Sequence, residues 1–259
     1  MVGATRRAPE VVVAADPVEL AHAAAERFAD IAEEAVVRDG RFTVALAGGS
    51  TPKGLYSVLA TEPYRSRVPW RETFVFWGDE RCVPPDHADS NYQTATETFL
   101  RHVPIPAAQI HRIRGEDPDP DRAAADYERL LRSTFQRESR ALPRFDLVLL
   151  GMGADGHTVS LFPGSPALRE SARLVVAPYV ARLQTYRLTL TLPVLNGARS
   201  IFFLVSGEEK ARMLKTVLEA VGRGHEIPSQ MIFPSHGTIT WFVDSAAARL
   251  LARREASLP

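Results

Sequence analysis

The chain has 259 residues, and its 45% hydrophobic content is enough to fill the core of a large α/β domain. Its 31 basic and 31 acidic residues cancel and form no long run of one sign, which argues against a binder of nucleic acid or of a membrane surface. Cys82 is the single cysteine, so an internal disulfide and a structural zinc site built on cysteine are both excluded.

No window of the sequence approaches the roughly 18 consecutive apolar residues that a membrane span requires. The two arginines near the N-terminus are not followed by the apolar stretch of a secretory signal. The sequence therefore predicts a cytoplasmic protein without a membrane partner. Its seven histidines show no metal-ligand spacing, so we expect no metal site.

Short apolar segments alternate with amphipathic ones along the chain, and this alternation predicts strands joined by helices. The predicted strands lie, in chain order, at residues 11–15, 42–47, 73–77, 145–151, 173–179, 186–192, 200–207 and 238–243. Segments 173–179 and 186–192 follow each other closely, which favours an antiparallel pair. The sequence thus predicts a three-layer α/β/α fold with a Rossmann-like, mostly parallel sheet and a small antiparallel excursion. Since no linker or repeat interrupts it, we predict one domain over residues 1–259.

Capping residues mark where the helices begin and end. Pro17 suits a first helical position after Asp16, and Gly40 marks the end of that helix. A second helix is predicted to begin near Ser50, and Ser90 is predicted to cap a helix after the polar loop that starts at residue 78. Further helices are predicted at residues 119–138, at 208–221 and from 245 onward.

A glycine-rich loop follows the second predicted strand. Gly48 and Gly49 allow the backbone to approach a ligand closely, and Ser50 and Thr51 place hydroxyl and amide groups at a helix start. This arrangement suits a phosphate, although a tight turn with an N-cap has the same pattern. The spacing is neither that of a P-loop nor that of a dinucleotide fingerprint.

Three basic residues lie near the ends of predicted strands. Lys210 falls in the first turn of a predicted helix, where the macrodipole disfavours a cation unless an anion is close. Arg81 ends the stretch GDER, and Arg187 lies within an alternating apolar segment. Taken singly, each also fits a salt-bridged surface residue. Because ligands of parallel sheets bind at the carboxyl ends of the strands, the cations and the glycine loop together predict an anion site.

Titratable side chains gather at two of the same loops. His157 follows a turn with three glycines at the end of a buried strand, and a histidine can act as a general base near neutral pH. Asp79 and Asp155 are candidates to orient the imidazole and to stabilise its cation. From the residues alone, the site is a candidate base beside an anion site.

Six stretches between Leu46 and Asp244 carry a family resemblance. They read LAGGSTPKGLY, FWGDERCVPPDHADSNY, FDLVLLGMGADGHTVSLFPG, YRLTLTLPVLN, FLVSGEEKARML and TWFVD. In this order they resemble the family of glucosamine-6-phosphate isomerases and 6-phosphogluconolactonases. The block around GMGADGHTVSLFPG is highly specific and favours the lactonase side of the family.

The resemblance implies an enzyme that hydrolyses 6-phospho-D-glucono-1,5-lactone to 6-phosphogluconate in the oxidative pentose phosphate pathway, without a cofactor. It implies that His157 activates water against the lactone carbonyl and then protonates the departing ring oxygen. Asp79 and Asp155 would orient the histidine, the water or sugar hydroxyls. The residues implied to surround the substrate and its phosphate are Gly48, Gly49, Ser50, Thr51, Arg81, Arg187 and Lys210. We expect a monomer or weak homo-oligomer whose partner is the small-molecule lactone.

Two other functions are compatible with the same fold. A deaminase-like isomerase of the family carries a glutamate five residues beyond the histidine, whereas Phe162 stands at that position here. A non-catalytic sugar-phosphate sensor usually carries a DNA-binding segment, but the roughly 40 residues before the first motif form one strand and one helix that the sheet itself can use. The lactonase is therefore the favoured function.

Overall fold

The computed structural model describes residues 9–135, 142–220 and 227–252. Its strands are β1 (Glu10–Ala14), β2 (Phe42–Leu46), β3 (Thr73–Trp77), β4 (Asp79–Arg81), β5 (Leu147–Leu150), β6 (Val175–Val176), β7 (Tyr179–Val180), β8 (Thr185–Leu190), β9 (Ser200–Val205) and β10 (Thr238–Asp244). Its α-helices are α1 (Pro17–Asp39), α2 (Ser50–Leu59), α3 (Tyr64–Arg67), α4 (Asn91–Thr98), α5 (Pro120–Phe135), α6 (Leu192–Leu195), α7 (Ala211–Glu219), α8 (Pro228–Met231) and α9 (Ser245–Ala248). Short 3-10 helices include Ala181–Leu183 and Glu208–Lys210.

Six strands form a sheet in the order β1-β10-β9-β5-β2-β3, and every neighbouring pair is parallel. The interior strands β2 and β5 are buried at every position, as a sheet covered on both faces requires. The edge strand β1 keeps two exposed positions. The predicted Rossmann-like, mostly parallel sheet is confirmed.

Helices cover both faces of this sheet. Phe28 of α1 packs edge to face on Phe42 of β2, with ring centroids 5.3 Å apart. Phe42 pairs in register with Thr73 of β3, and Phe76 lies three residues further along, so its side chain points to the opposite face. Phe135 of α5 packs there, 5.7 Å from the Phe76 ring. The two contacts establish the three-layer α/β/α arrangement.

The predicted ends of the first helix are confirmed. The Asp16 carboxylate accepts hydrogen bonds from the backbone N–H groups of Val18 at 2.8 Å and Glu19 at 2.9 Å, which satisfies two otherwise unpaired donors of α1. Gly40 follows the last turn with a φ of 70°, a left-handed value that glycine adopts without strain. Ser90 likewise caps α4, because its hydroxyl accepts from the N–H of Gln93.

A second, antiparallel sheet has the order β4-β8-β6, with β7 paired to β8. The predicted antiparallel excursion is thus confirmed, but the prediction of a loop from residue 78 is wrong where Asp79–Arg81 forms β4. Three polar residues give no strand pattern, and their partner β8 lies far along the chain.

Two predicted helices extend beyond the described residues, and one of them is divided. The helix predicted at 119–138 is α5, and residues 136–138 lie outside the described part of the chain. The helix predicted at 208–221 begins as a 3-10 turn over Glu208–Lys210 and continues as α7, while residue 221 lies outside the described residues.

Candidate active site

A cleft opens over the carboxyl ends of β2, β5 and β9, where loops and helix starts converge. Its volume is about 220 Å³. The predicted site residues that line it are Gly48, Gly49, Ser50, Thr51, Asp79, Arg81, His157 and Lys210. Two predicted residues lie outside the wall: Asp155 is hydrogen-bonded to His157, and Arg187 pairs with Arg81 in the small sheet.

His157 and Asp155 form a hydrogen-bonded pair at the end of β5. Nδ1 of His157 lies 2.5 Å from Oδ1 of Asp155, and the backbone N–H of His157 donates to the same oxygen at 3.2 Å. An ionised carboxylate can only accept, so Nδ1 carries a proton, and in the neutral imidazole Nε2 then keeps its lone pair. No described group hydrogen-bonds Nε2, and His157 lines the cleft. Nε2 is therefore the atom that can accept a proton from a molecule in the cleft.

Asp155 is held in its ionised form. Partial burial raises the pKa of its carboxyl, but the hydrogen bonds from His157 and the charges of His157 and Arg182 outweigh this effect and bring the pKa below its ordinary value. Nη1 of Arg182 lies 2.6 Å from Oδ2 of Asp155. The carboxylate can thus stabilise an imidazolium on His157 once a proton has been taken up.

Asp79 is buried at the start of β4 and has uncharged hydrogen-bond partners. The Ser160 hydroxyl donates to Oδ2 at 2.6 Å, and the Asn91 amide lies 3.4 Å from Oδ1. Burial raises the pKa of the Asp79 carboxyl, while the Ser160 hydrogen bond and the nearby charges of Arg81 and His157 act in the opposite direction. Ser160 and Asn91, rather than His157, therefore set the direction of this carboxyl.

The turn that carries Ser160 has a strained backbone. The N–H of Leu161 donates to the carbonyl of Thr158 at 2.9 Å, which closes the turn. Val159, inside it, has a φ of 44°, a value that β-branched residues rarely adopt. Strain of this kind persists only where the surroundings over-determine the conformation. Here the turn holds Ser160 against Asp79 while Val159 lines the cleft.

Three cations lie at or beside the cleft. Arg81 and Arg187 are register partners in β4 and β8, so their side chains share one face of the small sheet. Burial, followed by the charge of Arg81, lowers the pKa of the Arg187 guanidinium. Nζ of Lys210 lies 3.9 Å from the nearest oxygen of Glu209, which is a long contact. A bound anion would relieve the repulsion between the two arginines.

The start of α2 adds further positive potential. Gly49 is its N-cap with a φ of 105°, a conformation that favours glycine, and no side chain caps the first N–H groups of the helix. Gly49, Ser50 and Thr51 all line the cleft. The amide groups and the helix dipole at this end attract an anion.

Sequence reasoning missed four residues that build the site: Glu80, Asn91, Ser160 and Arg182. The buried Glu80 carboxylate accepts the backbone N–H groups of Asn91 and Tyr92, each at 2.8 Å, and so fixes the start of α4 beside the cleft. The position of Glu80 between Asp79 and Arg81 could have marked it in the sequence as a residue of the site. Arg182 could not be found in this way, because its partner Asp155 lies on a different segment of the chain.

Within residues 9–135, 142–220 and 227–252, no group of three or more His, Cys, Asp or Glu side chains is arranged to hold a metal ion. His225 lies outside these ranges. None of the helices in the described residues is both long and apolar enough to cross a bilayer.

A histidine–carboxylate pair beside clustered cations, at the carboxyl edge of a parallel sheet, defines an enzyme site for an anionic ligand. The chain belongs to the family of glucosamine-6-phosphate isomerases and 6-phosphogluconolactonases, whose family model matches residues 15–241. The resemblance carried by the sequence motifs is confirmed.

Relatives with high coverage support this membership. The chain is 42% identical over 218 residues to the 6-phosphogluconolactonase of Synechocystis sp., covering 84% of this chain and 88% of that protein. It is 44% identical over 220 residues to the 6-phosphogluconolactonase of Rattus norvegicus, covering 82% of each.

Solved structures share the fold. The 6-phosphogluconolactonase of Trypanosoma brucei superposes with a TM-score of 0.84 at 31% identity, covering 94% of this chain and 99% of that one. A monomeric glucosamine-6-phosphate deaminase superposes with a TM-score of 0.77 at 22% identity, covering 93% and 99%, and demonstrates the common fold alone.

Proposed function

We propose that this chain hydrolyses 6-phospho-D-glucono-1,5-lactone to 6-phosphogluconate, as the lactonase step of the oxidative pentose phosphate pathway. The observation that carries the proposal is the His157–Asp155 pair, with 2.5 Å between Nδ1 and Oδ1, at a histidine that lines the cleft. The 6-phosphogluconolactonases of Synechocystis sp. and Rattus norvegicus, at 42% and 44% identity, support the same activity.

His157 acts first as a base and then as an acid. Nε2 takes a proton from a water molecule while the water oxygen bonds to the lactone carbonyl carbon, and the carbonyl π electrons move onto oxygen. When the carbonyl re-forms, the bond to the ring oxygen breaks and that oxygen takes the proton back from Nε2. The new carboxyl group ionises, so the protein ends the cycle unchanged. Asp155 keeps Nδ1 protonated and stabilises the transient imidazolium.

The substrate phosphate provides binding energy away from the reacting carbon, and this energy orients the lactone against His157. The start of α2 and the side chain of Lys210 offer N–H donors and positive charge for that phosphate. Arg81 and Arg187 extend the positive surface toward the lactone. Asp79, held by Ser160, can accept a hydrogen bond from a sugar hydroxyl or from the attacking water.

Phe162 favours the lactonase over a deaminase-like isomerase. Its ring lies 4.6 Å from the His157 ring, so an apolar side chain stands next to the base where the isomerase would have a carboxylate.

We also propose that one domain over residues 1–259 carries the activity, in the cytoplasm, as a monomer or weak homo-oligomer. Its formal net charge of +0 supports the absence of a nucleic-acid partner.

A coupled assay tests the proposed function. Glucose-6-phosphate dehydrogenase generates the lactone in place, and 6-phosphogluconate dehydrogenase reports the product. We expect the chain to accelerate product formation well above spontaneous hydrolysis. Release of ammonia from glucosamine 6-phosphate would instead support the isomerase. A thermal shift with 6-phosphogluconate but no hydrolysis would support the sensor.

A further inference from the structure

We propose that Arg182 is a positioning residue that sets the orientation and the protonation behaviour of His157. The inference rests on the proposed role of His157 as general base. Arg182 lies in the 3-10 turn Ala181–Leu183, between β7 and β8 of the small sheet, whereas His157 belongs to the loop after β5 of the main sheet. Arg182 therefore links the small sheet to the loop of the main sheet that carries His157.

Arg182 contacts both neighbours of the His157 ring. Its Nη1 lies 2.6 Å from Oδ2 of Asp155, whose Oδ1 lies 2.5 Å from Nδ1 of His157. Its guanidinium carbon also lies 4.4 Å from the centre of the Phe162 ring, and that ring lies 4.6 Å from the His157 ring. One side chain thus restrains both the carboxylate and the aromatic ring that hold the imidazole.

The exposure of this ion pair argues against a role in stability. The side chain of Arg182 is 52% exposed and that of Asp155 is 31% exposed. Ion pairs with such exposure contribute little to the free energy of folding, because water screens them. Asp155 cannot hold Nδ1 in place unless its own rotation is restricted, and Arg182 bonds the oxygen that His157 leaves free. The contact between Arg182 and Asp155 therefore fixes the orientation of the His157 imidazole.

Charge supports the same role. Asp155 is bonded to His157, Arg182 is bonded to Asp155, and Asp79 interacts electrostatically with His157. The cations Arg81 and Lys210 line the same cleft. Arg182 compensates the charge of the carboxylate that is bonded to Nδ1 of His157. Removal of this cation leaves Asp155 uncompensated and favours the imidazolium, which cannot act as a base.

The test uses the full chain with Arg182→Met, which removes the charge and keeps an unbranched side chain, and Arg182→Lys, which keeps the charge. Arg122→Met is the matched control, since Arg122 is 56% exposed, lies 2.6 Å from Asp117 and is absent from the cleft wall. Initial rates of lactone hydrolysis, measured over a range of pH, give kcat, KM and the acidic and basic limbs of the pH–rate profile. Nitrogen-15 spectra of labelled histidine report the His157 tautomer, with the resonance assigned by its loss in His157→Asn.

For Arg182→Met we expect kcat to fall about tenfold with KM within about twofold, because orientation of the base is lost while binding is kept. We expect the acidic limb of kcat/KM to move about half a unit toward higher pH, and the Nε2-protonated tautomer to increase. Arg182→Lys should restore the position of that limb, and Arg122→Met should match the unmodified chain.

An Arg182→Met variant whose kcat, pH limb and nitrogen-15 spectrum equal those of Arg122→Met would overturn the inference. A rise in KM with unchanged kcat would also overturn it and would make Arg182 a substrate-binding residue. If the unmodified chain and His157→Asn hydrolyse the lactone equally, the proposed function fails instead, so the two failures can be distinguished.

Discussion

A Cβ atom added to Gly153 would lie 2.0 Å from Nδ1 of His157 and 2.5 Å from Oδ1 of Asp155. Real Cβ contacts essentially never come this close, so a side chain at position 153 would have to displace His157 and Asp155 from their hydrogen-bonded positions. The N–H of Gly153 in turn donates to the carbonyl of His157 at 2.8 Å, which closes the turn around the base.

Gly153→Ala is therefore expected to separate Nδ1 from Oδ1 and to lower kcat by at least about tenfold, because a misplaced base transfers protons poorly. Gly54→Ala in α2 is the control, since its added Cβ meets only Ala21 at 3.8 Å. The control should keep kcat and gain up to about 1 kcal/mol in free energy of unfolding. The coupled assay and urea unfolding measure both effects; equal kcat values in the two variants would contradict the crowding argument.

His157→Asn removes the proposed base while it keeps a side chain of similar shape. General base catalysis contributes about 10²–10⁴-fold, so kcat should fall by that order while KM stays within about threefold. The assay must subtract spontaneous hydrolysis, and circular dichroism must show an unchanged fold. Near-normal turnover would show that another group activates the water.

Lys210→Ala and Arg81→Ala remove cations of the cleft wall that are proposed to bind the substrate. We expect KM to rise about tenfold or more in each variant with kcat within about threefold, because a charge-assisted hydrogen bond is worth about 1.5–3 kcal/mol. Inhibition by inorganic phosphate should weaken in parallel for Lys210→Ala. A fall in kcat at constant KM would place that side chain in the transition state rather than in binding.

Asp146 is a buried carboxylate with a structural role at the start of β5. It pairs with Arg38 and accepts the backbone N–H and the hydroxyl of Thr43 at 2.9 and 2.7 Å. Asp146→Ala leaves these donors without their acceptor, so the free energy of unfolding should fall by about 3 kcal/mol. Asp126→Ala, which removes an exposed pair with Arg129, should cost less than about 1 kcal/mol. Urea unfolding compares the two, and equal losses would contradict this account.

The burial of His111 predicts that the free energy of unfolding depends on pH. Its ring stacks on Phe76 at 4.7 Å, and burial lowers its pKa from the ordinary 6.5. Below about pH 6.5 the unfolded chain takes up a proton that the folded protein resists, so this group makes the free energy of unfolding fall as the pH drops toward the lowered pKa. His111→Phe should lose part of the difference in free energy of unfolding between pH 8 and pH 5. An unchanged difference would contradict the prediction.

Much of the fold follows from local pattern. The limits of α1 depend on Asp16 and Gly40, which act within a few residues of their own positions. The apolar run of β5 predicts a buried strand, and a parallel sheet brings such strand ends to one edge. His157 and the Gly48–Gly49 loop could therefore be assigned to the same crevice before any contact was known.

The sequence by itself determined the alternation of strands and helices, the capping residues, and the candidate base with its anion-binding loop, because each depends on periodicity or on residues close in the chain. Only the tertiary structure decided that Asp79–Arg81 pairs with β8, that Ser160 holds Asp79, and that Arg182 reaches Asp155. These contacts join segments far apart in sequence, and their energies depend on distance and burial, which no local pattern encodes.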